Sequence, residues 1–134
     1  MKTNLIAYFA TLIPMIAFDA AWLGAMAKRF YAPRLGNLMA ATPSLLPAGI
    51  FYLVYAGGII CFVVLPGIVG EWSLGKLFLW GAFFGSVAYA TYDLTNQATL
   101  RNWPLALTIV DLVWGALLTG SVSVIAALIT RSVK

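Results

Sequence analysis

The chain has 134 residues, of which 63% are apolar and 9% are charged, with mean hydropathy +0.96 and a formal charge of +4. A soluble domain carries roughly 25% charged residues, so too little polar surface exists here for a soluble enzyme, a disordered tail or a nucleic-acid module. What remains is an all-α, polytopic membrane protein, one domain over residues 1–134.

Four apolar stretches follow in order, each near the roughly 20 residues that a helix needs to cross a bilayer. They run over about 5–26, 45–69, 77–98 and 104–129. Continuous apolarity, without alternation, predicts four transmembrane helices in one bundle and not a barrel. Lys2, the apolar run and Ala25-Met26-Ala27 imitate a signal peptide. Asp19 and Trp22, just ahead of the would-be cleavage site, argue for a retained span. Pro14 is a candidate kink in the first helix.

After it, residues 28–41 are basic and polar with interleaved Phe30, Tyr31, Leu35, Leu38 and Met39. This pattern predicts an interfacial segment in contact with lipid headgroups. Thr42-Pro43-Ser44 opens the second helix, Pro66-Gly67 and Gly70-Glu71-Trp72-Ser73 close it, and Asn102-Trp103-Pro104 opens the fourth. Trp22, Tyr31, Trp72 and Trp103 stand near helix ends, where aromatic belts form.

Four spans put both termini on one side, A, and the first and third connections on the other, B. Lys2, Lys76, Arg131 and Lys134 fall on side A; Lys28, Arg29, Arg34 and Arg101 fall on side B. The orientation rule is therefore tied. Cys61 stands alone, so no disulfide closes within the chain, and without histidine there is no histidine metal site. No metal and no cofactor are expected.

The acids are more telling. Glu71 lies in a connection, but Asp19, Asp93 and Asp111 lie inside predicted spans. An aspartate at mid-membrane costs roughly 2.5–3.5 kcal/mol on insertion scales. Counted from the helix ends, all three lie roughly 7–11 Å below side B at 1.5 Å per residue. They form a predicted layer. Asp19 and Asp111 are each followed by a tryptophan three residues on, Trp22 and Trp114, on the same helix face. A buried indole N–H needs an acceptor, and the nearby carboxylate offers one. The likeness of the two segments fits either an inverted repeat or coincidence.

The third helix carries the densest polar run, from Tyr89 through Thr91, Tyr92, Asp93, Thr95 and Asn96 to Gln97. Tyr89, Asp93 and Asn96 or Gln97 share a face. Gly81 and Gly85 form a close-packing patch, read as internal and not as a dimer seam.

The layer has three readings: a bonded network that fixes helix register, a pocket open to side B, or a contact with another protein. Two close carboxyls also form an acid–base pair in principle. No phosphate loop, nucleophile elbow or metal cluster accompanies them, so no recognisable catalytic motif is present.

The segments Phe18-Asp19-x-x-Trp22-Leu23-Gly24, Thr91-Tyr92-Asp93-Leu94-Thr95-Asn96 and Asp111-x-x-Trp114-Gly115 resemble those of a bacterial family of small membrane proteins of unknown function. The resemblance implies four spans and the bacterial inner (cytoplasmic) membrane. The leading expectation is binding of a lipid or small molecule by Asp19, Trp22, Tyr89, Tyr92, Asp93, Asn96, Asp111 and Trp114. The alternatives are an accessory or anchoring subunit of a membrane or lipid-modifying enzyme, and a proton-coupled carrier. The expected partners are membrane lipids, with a protein partner or a second copy as a further candidate, and no nucleic acid.

Overall fold

The computed structural model describes residues 2–133; Lys134, counted above on side A, lies outside the described residues. Every regular element among them is helical. Helix α1 (Lys2–Met26) runs past Pro14 and through a π turn, Ala27–Tyr31, into α2 (Ala32–Leu35) and a 3-10 turn, Gly36–Leu38. Helix α3 (Leu45–Ile59) passes through a second π turn, Ile60–Val64, into α4 (Leu65–Val69). Helices α5 (Leu74–Thr99) and α6 (Leu105–Ser132) are uninterrupted.

Both π turns close on the residue ahead of a proline. The Ala32 N–H bonds to Ala27 before Pro33, and the Leu65 N–H bonds to Ile60 before Pro66. A helical proline has no N–H to give, and its ring presses on the carbonyl four residues back. Widening the turn by one residue relieves that pressure and lets the helix continue. The basic segment after α1 therefore begins as a helical extension of α1, reaching Leu38.

Three helical stretches are long and apolar enough to cross a membrane: Lys2–Leu38, Leu45–Val69 and Leu105–Ser132. The fourth expected span, α5, is present as a helix but is not among them. That helix has ample length, 26 residues, but the polar run from Tyr89 to Gln97 takes it out of the apolar range.

The core is made of small and medium side chains, among them Ala7, Met15, Ala56, Ile59, Val63, Leu77, Val122 and Ala126. The large apolar ones, such as Leu45, Phe62, Val69 and Leu79, point outward. That distribution suits a hydrocarbon solvent, where close backbone approach holds helices together. It is most developed between α5 and α6. A Cβ added at Gly81 would stand 2.8 Å from the Thr119 carbonyl oxygen, and one at Gly120 would stand 3.0 Å from the Phe78 carbonyl oxygen. At Gly85 it would collide with the Gly115 carbonyl. The patch at Gly81 and Gly85 is thus internal. As residue numbers rise on α5 they fall on α6, so the pair is antiparallel.

Hydroxyls along the bundle find local acceptors. Ser123 donates to the Thr119 carbonyl at 2.7 Å, Thr130 to Ala126 at 2.6 Å and Thr11 to Ala7 at 2.8 Å. Between helices, the Tyr55 and Thr119 hydroxyls lie 2.7 Å apart. At one end, the Arg131 guanidinium donates to the carbonyls of Gly67 at 3.1 Å and Trp72 at 2.8 Å. It ties the end of α6 to the turn between α4 and α5. Lys76 lies 4.4 Å over the Trp72 ring there.

Candidate functional site

Asp19 on α1, Asp93 on α5 and Asp111 on α6 are all buried, with 8%, 0% and 8% of their surface exposed. Their surroundings differ. Asp19 accepts a hydrogen bond from the Tyr52 hydroxyl, and its other oxygen accepts one from the Trp114 indole N–H at 3.0 Å. Asp111 accepts from the Tyr31 hydroxyl, whose oxygen in turn accepts the Trp22 indole N–H at 3.0 Å. The Trp22 and Trp114 rings stack face to face, 4.2 Å between centroids and 8° from parallel.

The arrangement is reciprocal. The two Asp-x-x-Trp segments lie on α1 and α6, and each tryptophan serves the aspartate of the other helix, Trp114 directly and Trp22 through Tyr31. A carboxylate does accept the Trp114 indole, and it is the one on the other helix, not the one three residues before it. Side chains on one helix face point toward the neighbouring helix, and an indole is long enough to cross the gap.

Two tyrosines complete this cluster. Tyr31, read from sequence as a belt residue, is carried by the first π turn and reaches Asp111. Tyr52 on α3 was not singled out at all. Its signal was available: Tyr52 and Tyr55 are hydroxyls in an otherwise apolar helix, and a phenol buried there needs a partner.

Asp93 is different. Among the described residues no N–H or hydroxyl donates to either of its oxygens, nor, one turn further on the same face, to the buried Oε1 of Gln97. Its neighbour is another carboxyl, that of Asp111, within hydrogen-bonding reach. The threonines around it bond back along their own helix, Thr91 to the Val87 carbonyl at 2.7 Å and Thr99 to that of Thr95 at 2.8 Å.

The remaining sequence candidates divide. Tyr89 packs its ring over Gly115, where an added Cβ would stand 2.5 Å from ring carbons. Tyr92 is exposed, edge-on to Trp103 at 5.9 Å. Both border a cleft of about 370 Å³ with Phe51, Ala88 and Asp111. Asn96 is half-buried and contributes its carbonyl to the Leu100 N–H at the end of α5. No side-chain hydrogen bond joins Asn96 to the aspartates among the described residues.

The three buried aspartates belong to one hydrogen-bonded polar cluster within the bundle. They form a chain: Asp19, the stacked indoles with Tyr31, then Asp111, then Asp93. Among the described residues no three acidic, histidine or cysteine side chains are grouped to hold a metal ion. Of this chain of groups, Asp111 borders the cleft, whose wall is otherwise Phe51, Ala88, Tyr89 and Tyr92.

Comparison with known proteins adds one finding. No curated protein and no solved structure matches the chain. A family model described as a predicted membrane protein, DUF2177, matches residues 4–128. That range takes in all three aspartates and both paired tryptophans, and the chain belongs to this family of multi-pass membrane proteins.

Proposed function

We propose that the protein binds a lipid or small molecule at the cleft bordered by Asp111, the acid beside the buried Asp93. The observation that carries this reading is Asp93: fully buried, with another acid, Asp111, as its only hydrogen-bonding neighbour among the described residues, and that acid borders a cleft. Two acids can share one proton, which leaves most of their acceptor positions unfilled. Asp19 is bonded twice within the protein, whereas a molecule that brings donors would fill what the Asp93–Asp111 pair leaves open.

The setting we infer is the bacterial inner membrane, crossed four times. For α5 as the fourth span the support is its pairing. Its 26 residues reach about 39 Å at 1.5 Å per residue, beyond the roughly 30 Å of hydrocarbon. It also lies against α6 from Gly81 to Asp93. Its threonines Thr91, Thr95 and Thr99 bond to its own backbone, and Tyr89 and Asp93 are turned toward α6, an arrangement that membrane helices tolerate.

Native mass spectrometry of gently purified protein tests the binding reading. A molecule retained at a fixed ratio, and lost on Asp111→Asn with the fold intact, is the expected result. A protein partner at fixed stoichiometry with no retained molecule would assign the cleft to an accessory role instead.

A further inference from the structure

We infer that the group recognised at the Asp93–Asp111 pair is a primary ammonium, presented by an aminolipid headgroup or a free amine; this rests on the binding reading above. The first ground is that the site consists of acceptors. Asp93 Oδ1, Asp93 Oδ2 and Gln97 Oε1 are buried with no N–H or O–H donor assigned to them among the described residues, and Asp111, the acid next to Asp93, borders the cleft. A primary ammonium carries three N–H donors and no acceptor, the complement of that set.

The second ground is charge. The donors to Asp19 and Asp111 are neutral phenols and an indole, not Lys or Arg. Arg34 is held over the Phe30 ring at 3.9 Å and on the Phe30 carbonyl at 3.0 Å. Arg131 is fixed at the other end of α6. Among the described residues no Lys or Arg pairs with these carboxyls, so they are either held neutral or matched by a cation that comes from outside the chain.

The third ground is the wall. Phe51, Tyr89 and Tyr92 border the cleft, and aromatic faces attract a cation beside them. A quaternary ammonium would enjoy the rings but leave the oxygens unbonded. A metal ion has no three-ligand group to hold it among the described residues. The primary ammonium satisfies both the rings and the carboxyls.

The test is competition on the intact protein in nanodiscs or mild detergent. Phosphatidylethanolamine is set against phosphatidylcholine and phosphatidylglycerol of the same chains, with ethanolamine and hexylamine as soluble arms, and retention is read by native mass spectrometry. We expect a preference of roughly tenfold or more for a primary amine over its choline counterpart, about 1.4 kcal/mol or more. Asp93→Asn and Asp111→Asn should abolish that preference with thermal unfolding little changed. The soluble arms name the source: stabilisation by hexylamine equal to that by the aminolipid points to a free amine. Equal retention of choline and ethanolamine lipids overturns the inference, as does an unchanged preference in folded Asp93→Asn. Should the variants not fold, the wild-type competition decides alone. Selective retention of phosphatidylglycerol, lost on Asp111→Asn, overturns the amine and keeps the binding reading; no retained molecule at all overturns both.

Discussion

Helix α6 holds its two main neighbours by opposite means. Against α5 nothing stands between the backbones at Gly85 and Gly115, and hydroxyls fold back onto their own helices. Against α1 the gap is wide enough for two stacked indoles, one bonded to the Asp19 carboxyl and the other to the Tyr31 hydroxyl. The wide seam admits side chains long enough to carry donors, so each Asp19 oxygen is bonded. The narrow seam brings Asp93 up to Asp111, acid against acid. The difference separates an aspartate that locks two helices from one that is left open for something else.

Breaking the narrow seam should have the largest effect. In Gly85→Leu the new Cβ meets the Gly115 carbonyl, which is backbone and has no rotamer to retreat into. Overpacking of this kind costs roughly 1–3 kcal/mol and occasionally more, and a collision with backbone belongs at the top of that range. Folded yield by size-exclusion chromatography should collapse. A normal yield would show that α5 and α6 are held by something other than close approach.

Breaking the wide seam should cost less. Asp19→Ala strands two donors, the Tyr52 hydroxyl and the Trp114 indole. Each unsatisfied group costs about 1–3 kcal/mol, less where lipid-side water reaches it. Asp19→Asn keeps an acceptor and should recover much of the loss in thermal unfolding. If Ala and Asn behave alike, the bonds at Asp19 do not hold the helices.

Most of this contrast was legible in the residues, for reasons that also set the limits. Aspartate is so costly in hydrocarbon that Asp19, Asp93 and Asp111 stood out at once, and glycines spaced by four announced the narrow seam. The helix count was harder. The polar run that makes α5 interesting is the same feature that takes it below the apolarity of its neighbours. Donor assignments were legible only as types. The sequence showed that Trp22 and Trp114 need acceptors, but which carboxyl each reaches depends on antiparallel register across the bundle. Tyr31 depends on the π turn that carries it, and nothing in Ala27–Tyr31 itself announces a widened turn; only Pro33, two residues beyond, hints at it.

A smaller effect sharpens the reciprocal arrangement. Tyr31→Phe removes the relay between Trp22 and Asp111 while the ring can stay. Tyr31 is half-buried, so water can reach part of what is stranded. A loss of about 0.5–1.5 kcal/mol is expected, smaller than that of Asp19→Ala. The tryptophan fluorescence should shift, because the Trp22 N–H loses its partner beside Trp114. An unchanged spectrum would mean that the direct bond from Trp114 alone organises the stack.

The smallest effect on stability should come from Asp93→Asn, and its sign is what matters. Asparagine has nearly the size of aspartate but brings two N–H donors of its own. Placed beside Asp111, it can donate to that carboxyl without needing a proton shared between two acids. It also removes a buried acid whose only hydrogen-bonding neighbour among the described residues is another acid. The expected result is thermal stability equal to or above the wild type, by up to about 1 kcal/mol. Asp19→Asn, by contrast, replaces an acceptor that was already bonded twice and should lower stability. Opposite signs for the same chemical change on α1 and α5 would place Asp93 outside the structural network. A clear loss of stability at Asp93, matching that at Asp19, would return it to that network and remove the ground for a binding site there.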